Sequence, residues 1–408
     1  MHTATGSPSG LAPELESAHQ AVIRATLPLI GARIDEITPV FYRRMFAAHP
    51  ELGRDLFNRG NQAQGTQQRA LASAIVTFAR HLVDPDLPHP VELLSRIGHR
   101  HASLGVTASQ YDIVHRHLFA AIVEVLGAEA VTEAVAAAWD RVYWLMATAL
   151  IDLETGLYAA AGVAPGDVFR RVVVVERAED PSGVVTFVVE SAEAARPLPD
   201  FLPGSYISVG ADLPDGARQL RQYSLVDAPG TGRYAFTVRA IAATAHAPAG
   251  AVSSWLHHTV VVGDHLDITL PFGDLTLDTA AATPVVLISA GVGITPMAGI
   301  VAYLAAHSPD RPTTVLHADS RAAAHPLRAR VRAWCDELRD VRLRTWYQDE
   351  GDGLIDLTGI DLPDAADYYL CGGHAFLRSA RAQLHAAGIP SGRVHFESFA
   401  PNDWLLAD

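Results

Sequence analysis

Cysteine is almost missing from this chain: 408 residues contain two, Cys335 and Cys371. Two thiols exclude a disulfide framework and a cysteine-rich metal site. Positive charge is also short. Lys and Arg number 31 against 45 Asp and Glu, for a net charge of −14, which argues against nucleic acid as the main partner because phosphate binding needs a basic surface. Met1 to Pro13 is rich in Ser, Gly, Thr and Pro and has no basic-then-apolar signal pattern. It reads as a disordered N-terminal extension. Thr279 to Ala306 carries no formal charge, but Pro284, Gly291, Gly293, Pro296 and Gly299 divide it into strand, turn and helix rather than a membrane span. The protein is therefore expected in the cytoplasm. No solenoid-length repeat is present.

What is there is globular in composition, 49% hydrophobic and 19% charged, and long enough for two or three cores. Residues 14–160 carry helical periodicity almost throughout. Gln67, Leu71, Ala74 and Phe78 form one stripe. Pro90 opens a helix on which Leu94, Ile97, His101 and Leu104 share a face. Thr107-Ala-Ser-Gln110 has the spacing of a capping box. The helix it opens shows Tyr111, Val114, Leu118, Ile122 and Val125 on one side, and a long last helix runs from about Thr132 to Tyr158. Ala161 to Gly166 reads as a linker.

From 166 to 278 short strands alternate with Gly/Pro turns: Phe169–Glu176, Val184–Val189, Tyr206–Val209, Arg221–Val226, Tyr234–Arg239 and His265–Leu270. One short helix interrupts them near Ser253–His257. This is the pattern of an antiparallel β-barrel. From 283 to 408 strands at Val285–Ser289, Thr313–His317, Arg342–Tyr347 and Tyr368–Cys371 alternate with helices, as in an α/β parallel sheet. The expected fold class is multidomain: all-α, then antiparallel barrel, then α/β.

Arg221-Gln222-Tyr223-Ser224 lies in the barrel. A two-residue period sends Arg221 and Tyr223 to one face and Ser224 to the other. An arginine suits a flavin pyrophosphate, a tyrosine can lie against the ring, and a serine hydroxyl can bond its edge. An ordinary strand with an exposed arginine would read the same. Context decides: Pro203-Gly-Ser-Tyr206 lies upstream, and Gly250-Ala-Val252-Ser253-Ser-Trp-Leu256 and Pro271-Phe-Gly-Asp274 follow. Val285–Ser289 then opens into Gly291-Val292-Gly293-Ile294-Thr295-Pro296. Its glycines let backbone N–H groups approach a pyrophosphate, and its proline opens a helix without needing a partner.

In this order the motifs resemble ferredoxin reductase-type flavoproteins. The resemblance implies FAD on Tyr206, Arg221, Gln222, Tyr223, Ser224, Gly250, Val252 and Ser253. It implies NADH or NADPH on Gly291 to Pro296 and on Cys371 and Gly372, the latter pair in Tyr369-Leu-Cys-Gly-Gly373. His395–Phe399 resembles the closing strand and places Phe396 and Phe399 in the cofactor set. Gly373, Ser398 and Ala400 stand where that family often has Pro, Cys and Gly. Asp319, against Ser320 and Arg321, leaves NADH and NADPH both open.

The helical front completes a second resemblance. Pro39-Val-Phe-Tyr42-Arg-Arg-Met-Phe46, His49-Pro-Glu-Leu52, Phe57-Asn58, Asn61-Gln62, Gln67-Gln-Arg-Ala-Leu71 and Arg100-His101-Ala-Ser appear at the spacing of flavohaemoglobins. From about 14 to 403 the chain resembles that family. His81, His89, His99, His115 and His117 share the helical segment with His101. His101 is on the apolar stripe, where a histidine is as a rule a satisfied core residue; the match at Arg100-His101 makes it the haem-iron ligand. The resemblance pairs His101 with Tyr111 and Glu154, which would raise its donor strength. It puts Tyr42 and Gln67 at bound dioxygen, Leu71 over the iron, Phe57 at the haem edge and Arg100 near the flavin.

The resemblance implies a nitric oxide dioxygenase: NAD(P)H reduces FAD, FAD reduces haem b, and nitric oxide becomes nitrate. Its partners would be dioxygen, nitric oxide and NAD(P)H, with the protein a monomer and with lipid in the distal pocket left open. A haem-flavin reductase of hydroperoxides or ferric iron, and an oxygen or nitric oxide sensor, are the alternatives.

Overall fold

The computed structural model describes residues 14–57, 65–213, 216–244 and 248–399. The expected extension 1–13 and the motif residues Asn58, Asn61, Gln62 and Ala400 lie outside the described residues.

The first unit is helical: α1 (Ser17–Ala48), a single π turn (Leu52–Leu56), α2 (Thr66–Val83), α3 (Ser95–Ala102), α4 (Ala108–Leu126) and α5 (Glu133–Ala160). α1 runs through Pro28 and Pro39, each of which removes one backbone donor from a helix interior. Buried Ile30, Ile37, Phe41 and Met45 pack it onto the other helices. Pro90 opens a 3-10 turn (Pro90–Leu94), and α3 follows it. The expected face is therefore shorter than the sequence pattern. Leu104 lies past the helix end, where its N–H bonds the His101 carbonyl at 3.0 Å and Gly105 turns the chain at φ +73°. The capping box is present: Gln110 Oε1 accepts the Thr107 N–H at 2.8 Å.

A second correction concerns α2. Its buried line is Ala72, Ile75, Phe78 and Ala79, while Gln67, Leu71 and Ala74 are half-buried. The helix thus packs its core on one line and keeps a second apolar line for another surface.

The second unit is a six-stranded antiparallel sheet in the order β4-β3-β6-β1-β2-β5, from β1 (Phe169–Glu179), β2 (Val184–Ser191), β3 (Tyr206–Asp212), β4 (Arg218–Ser224), β5 (Arg233–Arg239) and β6 (His265–Thr269). A bridge from Leu225 to Phe236 joins the two edge strands, so the sheet closes as the barrel expected from its short strands. α6 (Ala251–His258) caps it. The third unit is a five-stranded parallel sheet, β11-β10-β7-β8-β9, from β7 (Val285–Ala290), β8 (Thr313–Asp319), β9 (Val341–Tyr347), β10 (Asp367–Gly372) and β11 (Val394–Ser398). α7 (Ile294–His307), α8 (Arg328–Glu337) and α9 (His374–Ala386) cover it. Strand order reverses between β7 and β10, which opens a crevice at their carboxyl ends.

The units are closely joined. Ala102 and Tyr158 of the helical unit share one buried cluster with Val168, Tyr206, Leu270 and Phe272 of the barrel. A Cβ on Gly299 of α7 would lie 2.4 Å from the Leu225 carbonyl oxygen. Only a glycine permits that approach of the third unit to the barrel.

Candidate redox site

α3 is the centre of the arrangement. His101 Nδ1 lies 2.8 Å from Glu154 Oε1 and 3.0 Å from the Tyr111 hydroxyl, which itself donates to Glu154 Oε1 at 2.5 Å. A carboxylate only accepts, so Nδ1 carries the proton and Nε2 presents its lone pair. Glu154 is 2% exposed; a carboxylate that deep needs these donors. Burial and the Glu154 charge push the Tyr111 phenol far up, so it remains a donor. Tyr143 fixes the frame by donating to the Tyr111 carbonyl at 2.6 Å.

Three of the other histidines are committed elsewhere. His99 Nδ1 accepts from the Gly273 N–H, His115 pairs with Asp140, and His81 meets the Pro88 carbonyl. Among these, His101 alone combines a carboxylate-held Nδ1 with a place on the helix face opposite the Arg96 contacts described below.

The second, half-buried line of α2 carries Gln67 and Leu71. Gln67 Oε1 is buried with no hydrogen-bond partner, an orphan acceptor that only a hydrogen-bond donor would satisfy. Tyr42 is 5% exposed, with its ring edge-on to Phe57 at 5.8 Å and to Phe41 at 4.7 Å. A small apolar cavity of about 20 Å³ lies between α1, α2, α4 and α5, lined by residues including Ile75, Leu118, Ile122 and Met146. That cavity does not include His101, Gln67 or Tyr42; what fits a haem is the chemistry of the set, a carboxylate-held imidazole with a free Nε2, a buried amide and aromatic neighbours.

In the barrel, Arg221 and Tyr223 are half-buried and Ser224 is buried. Tyr223 lies 5.6 Å from the Phe236 ring, and burial lowers the Arg221 guanidinium from its ordinary range. Gln222 is directed differently: its Nε2 donates to Ser103 Oγ of the helical unit at 2.8 Å. That N–H joins the two domains. At α6, Gly250 is the N-cap, and the Ser253 hydroxyl donates back to the Gly250 carbonyl at 3.1 Å. Val252 is fully buried. What α6 offers an anion is its first N–H groups rather than these side chains.

The Gly291 turn stands at the crevice between β7 and β10. Gly291 has φ +54°. A Cβ on Gly293 would lie 2.2 Å from the Cys371 carbonyl oxygen, so this contact requires glycine. Gly291 and Val292 are partly exposed, while Ile294, Thr295 and Pro296 are buried and hold the turn from beneath. Thr295 donates to the Val292 carbonyl at 3.0 Å. Cys371 is fully buried and its thiol is pushed well up by burial, which suits packing and not nucleophilic work. Gly373 has φ −69° and ψ 161°, values a proline also adopts; its departure from the family residue does not alter the turn. Asp319 faces inward: Oδ1 accepts the Ser320 N–H at 2.7 Å, and Oδ2 lies 3.8 Å from His317 Nε2.

β11 closes the site. Arg100 donates to the Ser398 carbonyl at 3.3 Å and lies 4.0 Å from Glu397. Burial raises Glu397 to about 7 against the opposing pull of Arg96. The Phe396 ring is occupied by arginines, Arg96 at 4.1 Å and Arg381 at 4.9 Å. Its expected place in the cofactor set is thus a domain contact. Phe399 is 48% exposed at the strand end.

Comparison with known proteins agrees with this layout. Residues 40–150 match the globin family, and residues 287–382 match the oxidoreductase NAD-binding domain. A flavohemoprotein of Bordetella parapertussis is 39% identical over 408 residues, covering 95% of this chain and 98% of its own. The chain belongs to the flavohaemoprotein family. A Rhizobium meliloti flavohemoprotein is 37% identical, covering 93% of this chain and 97% of its own. The flavohemoglobin of Malassezia yamatoensis, solved with bound FAD and heme, superposes with a TM-score of 0.86 at 36% identity, covering 95% of this chain and all of that one. The FAD/NAD-binding domain of a Vibrio cholerae nitric oxide dioxygenase is 33% identical with a TM-score of 0.53, covering 57% of this chain and 99% of that domain.

This flavohaemoprotein also uses residues that its sequence did not single out. Arg96 and Gln219 lie outside every motif and hold units together, with Ser103 and Asp274 as motif residues that join them; Gln219 Nε2 donates to the Arg54 and Phe57 carbonyls at 2.8 and 3.2 Å. Such roles carry no local pattern, because each partner lies more than a hundred residues away in the chain.

Proposed function

We propose that this chain is a nitric oxide dioxygenase that binds haem b on His101, FAD on the barrel and NAD(P)H at the Gly291 turn. One observation carries the reading: the proximal imidazole is held through Nδ1 by a buried carboxylate and a phenol. A carboxylate-backed imidazole is a strong electron donor, which favours chemistry on bound dioxygen over simple carriage. When bound, the flavin accepts a hydride and releases electrons singly, and the haem iron activates dioxygen toward nitric oxide to give nitrate.

The chain's own residues orient and exclude. Glu154 and Tyr111 hold the ligand's tautomer. Tyr42 and Gln67 direct donors to the far side of the haem. The first N–H groups of α6 and the Gly291 turn face pyrophosphates. The test is NAD(P)H-driven consumption of nitric oxide under air, with nitrate measured. Tyr42→Phe is expected to release oxygen faster and to lower turnover by about tenfold or more. Consumption no faster than the uncatalysed reaction, beside brisk hydroperoxide or ferric reduction, overturns the assignment.

A further inference from the structure

Arg96 touches all three units. It sits five residues before His101 on α3, about 140° around the helix and so on a different face from the imidazole. Its Nη2 donates to the Phe396 carbonyl of β11 at 2.6 Å, and its guanidinium lies 4.1 Å from the Phe396 ring. Its Nε is 4.0 Å from Asp274 Oδ2 in the turn that closes the barrel. The side chain is 13% exposed. Arg381 of α9 also lies against the Phe396 ring, so the aromatic is fixed within the third unit before Arg96 engages it. The next turn of α3 repeats the arrangement: His99 accepts from the Gly273 N–H at 3.0 Å, and Arg100 lies 3.3 Å from the Ser398 carbonyl and 4.0 Å from Glu397.

We propose that Arg96 is a positioning residue that locks the haem-bearing helix in electron-transfer register with the flavin and nicotinamide units. The inference rests on the electron path of the proposed function. The short helix carrying the iron ligand packs on α5, where a Cβ on Gly98 would lie 2.4 Å from Leu153 Cδ2, and Arg96 and Arg100 tie that pair to the third unit. A guanidinium hydrogen-bonded to a backbone carbonyl, laid on a ring and 4.0 Å from a carboxylate restrains both tilt and translation. A point charge on a flexible stem would fix neither. Transfer between two cofactors depends steeply on separation, so a small shift of α3 slows the interdomain step and leaves hydride transfer alone.

The experiment mixes the holoprotein with NADH without oxygen and follows flavin bleaching and haem reduction separately. Arg96→Gln is expected to slow haem reduction about tenfold or more, with flavin bleaching unchanged. Arg96→Lys should fall between, and Phe396→Leu, which keeps the carbonyl acceptor, should slow the same step less. Amide hydrogen exchange gives a second readout: protection of Ser95–Ala102 and Val394–Ser398 should fall together. Unchanged haem reduction in Arg96→Gln, equal slowing of both steps, or exchange rising in α3 alone would each overturn the proposal. A wild-type protein whose flavin bleaches while its haem stays ferric overturns the electron path itself, and the lock with it.

Discussion

At the scale of the residue, the carboxylate behind His101 is the most exacting feature. Glu154→Gln keeps the shape but turns an acceptor into a group that also donates, so the Tyr111 and His101 protons no longer share one charged oxygen. Haem loss to an excess of acceptor apoglobin should quicken about ten- to a hundredfold. The two glycines of the nucleotide crevice behave oppositely. Gly293→Ala places a Cβ against the Cys371 backbone, and denaturant melts should show a loss of about 1–3 kcal/mol. Gly373→Pro fits the existing φ and ψ and should gain about 0.4–1 kcal/mol in the same assay by restricting the unfolded chain. His101, Tyr111 and Glu154 were legible in the sequence through resemblance. Gln222 was legible as a motif member but not in its use, because the strand period tells faces apart and not what stands opposite them.

At the scale of the element, the ends of β8 and β9 bury two stacked imidazoles. His317 and His325 have ring centroids 3.8 Å apart. His317 Nδ1 meets Ser289 Oγ at 2.8 Å, and His325 Nδ1 meets the Tyr347 hydroxyl at 2.9 Å. Burial lowers both, His325 to about 3, with His317 adding to the effect. Above the ordinary histidine range neither state of the protein is protonated there and no pH dependence arises. As pH falls below about 6.5, the unfolded chain takes up protons that the folded chain refuses, so stability declines until about pH 3. His325→Phe should flatten part of that decline in melts between pH 7 and pH 4 (endpoints of roughly that range suffice); an unchanged slope would exclude His325 as a source. The elements themselves were largely legible. Period, caps and turn residues located nearly every one, as at Thr107 and Gln110. The misplacements came where tertiary contact chose the boundary: Leu104 beyond α3, and the two lines of α2, one buried in the core and one half-buried.

At the scale of the whole molecule, the chain has no lysine; all of its 31 Lys-plus-Arg cations are arginine. Every interdomain arginine is thus a planar fork able to meet more than one kind of group: Arg96 a carbonyl, a ring and a carboxylate, Arg100 a carbonyl and a carboxylate, and Arg330 a carboxylate and a ring. The helical unit also depends on the barrel. Ala102 and Tyr158 are buried partly by Tyr206 and Phe272. A fragment of residues 14–162 should therefore melt lower than the helical unit in the full chain and bind an apolar dye at the uncovered face. Equal melting and no dye binding would show that the junction contributes nothing.

The three units and their order are legible from the chain alone, because helix and strand periods, turn glycines and short motifs are local properties. Only the tertiary structure decided what joins the units: Gln222 given to Ser103, Phe396 to two arginines, and Arg96 to three domains. Those choices depend on which surfaces meet across hundreds of residues, and no local pattern encodes a partner that distant. The two cysteines show the same division. Their number excluded a disulfide framework at once, but only burial beneath the Gly291 turn made Cys371 a packing residue.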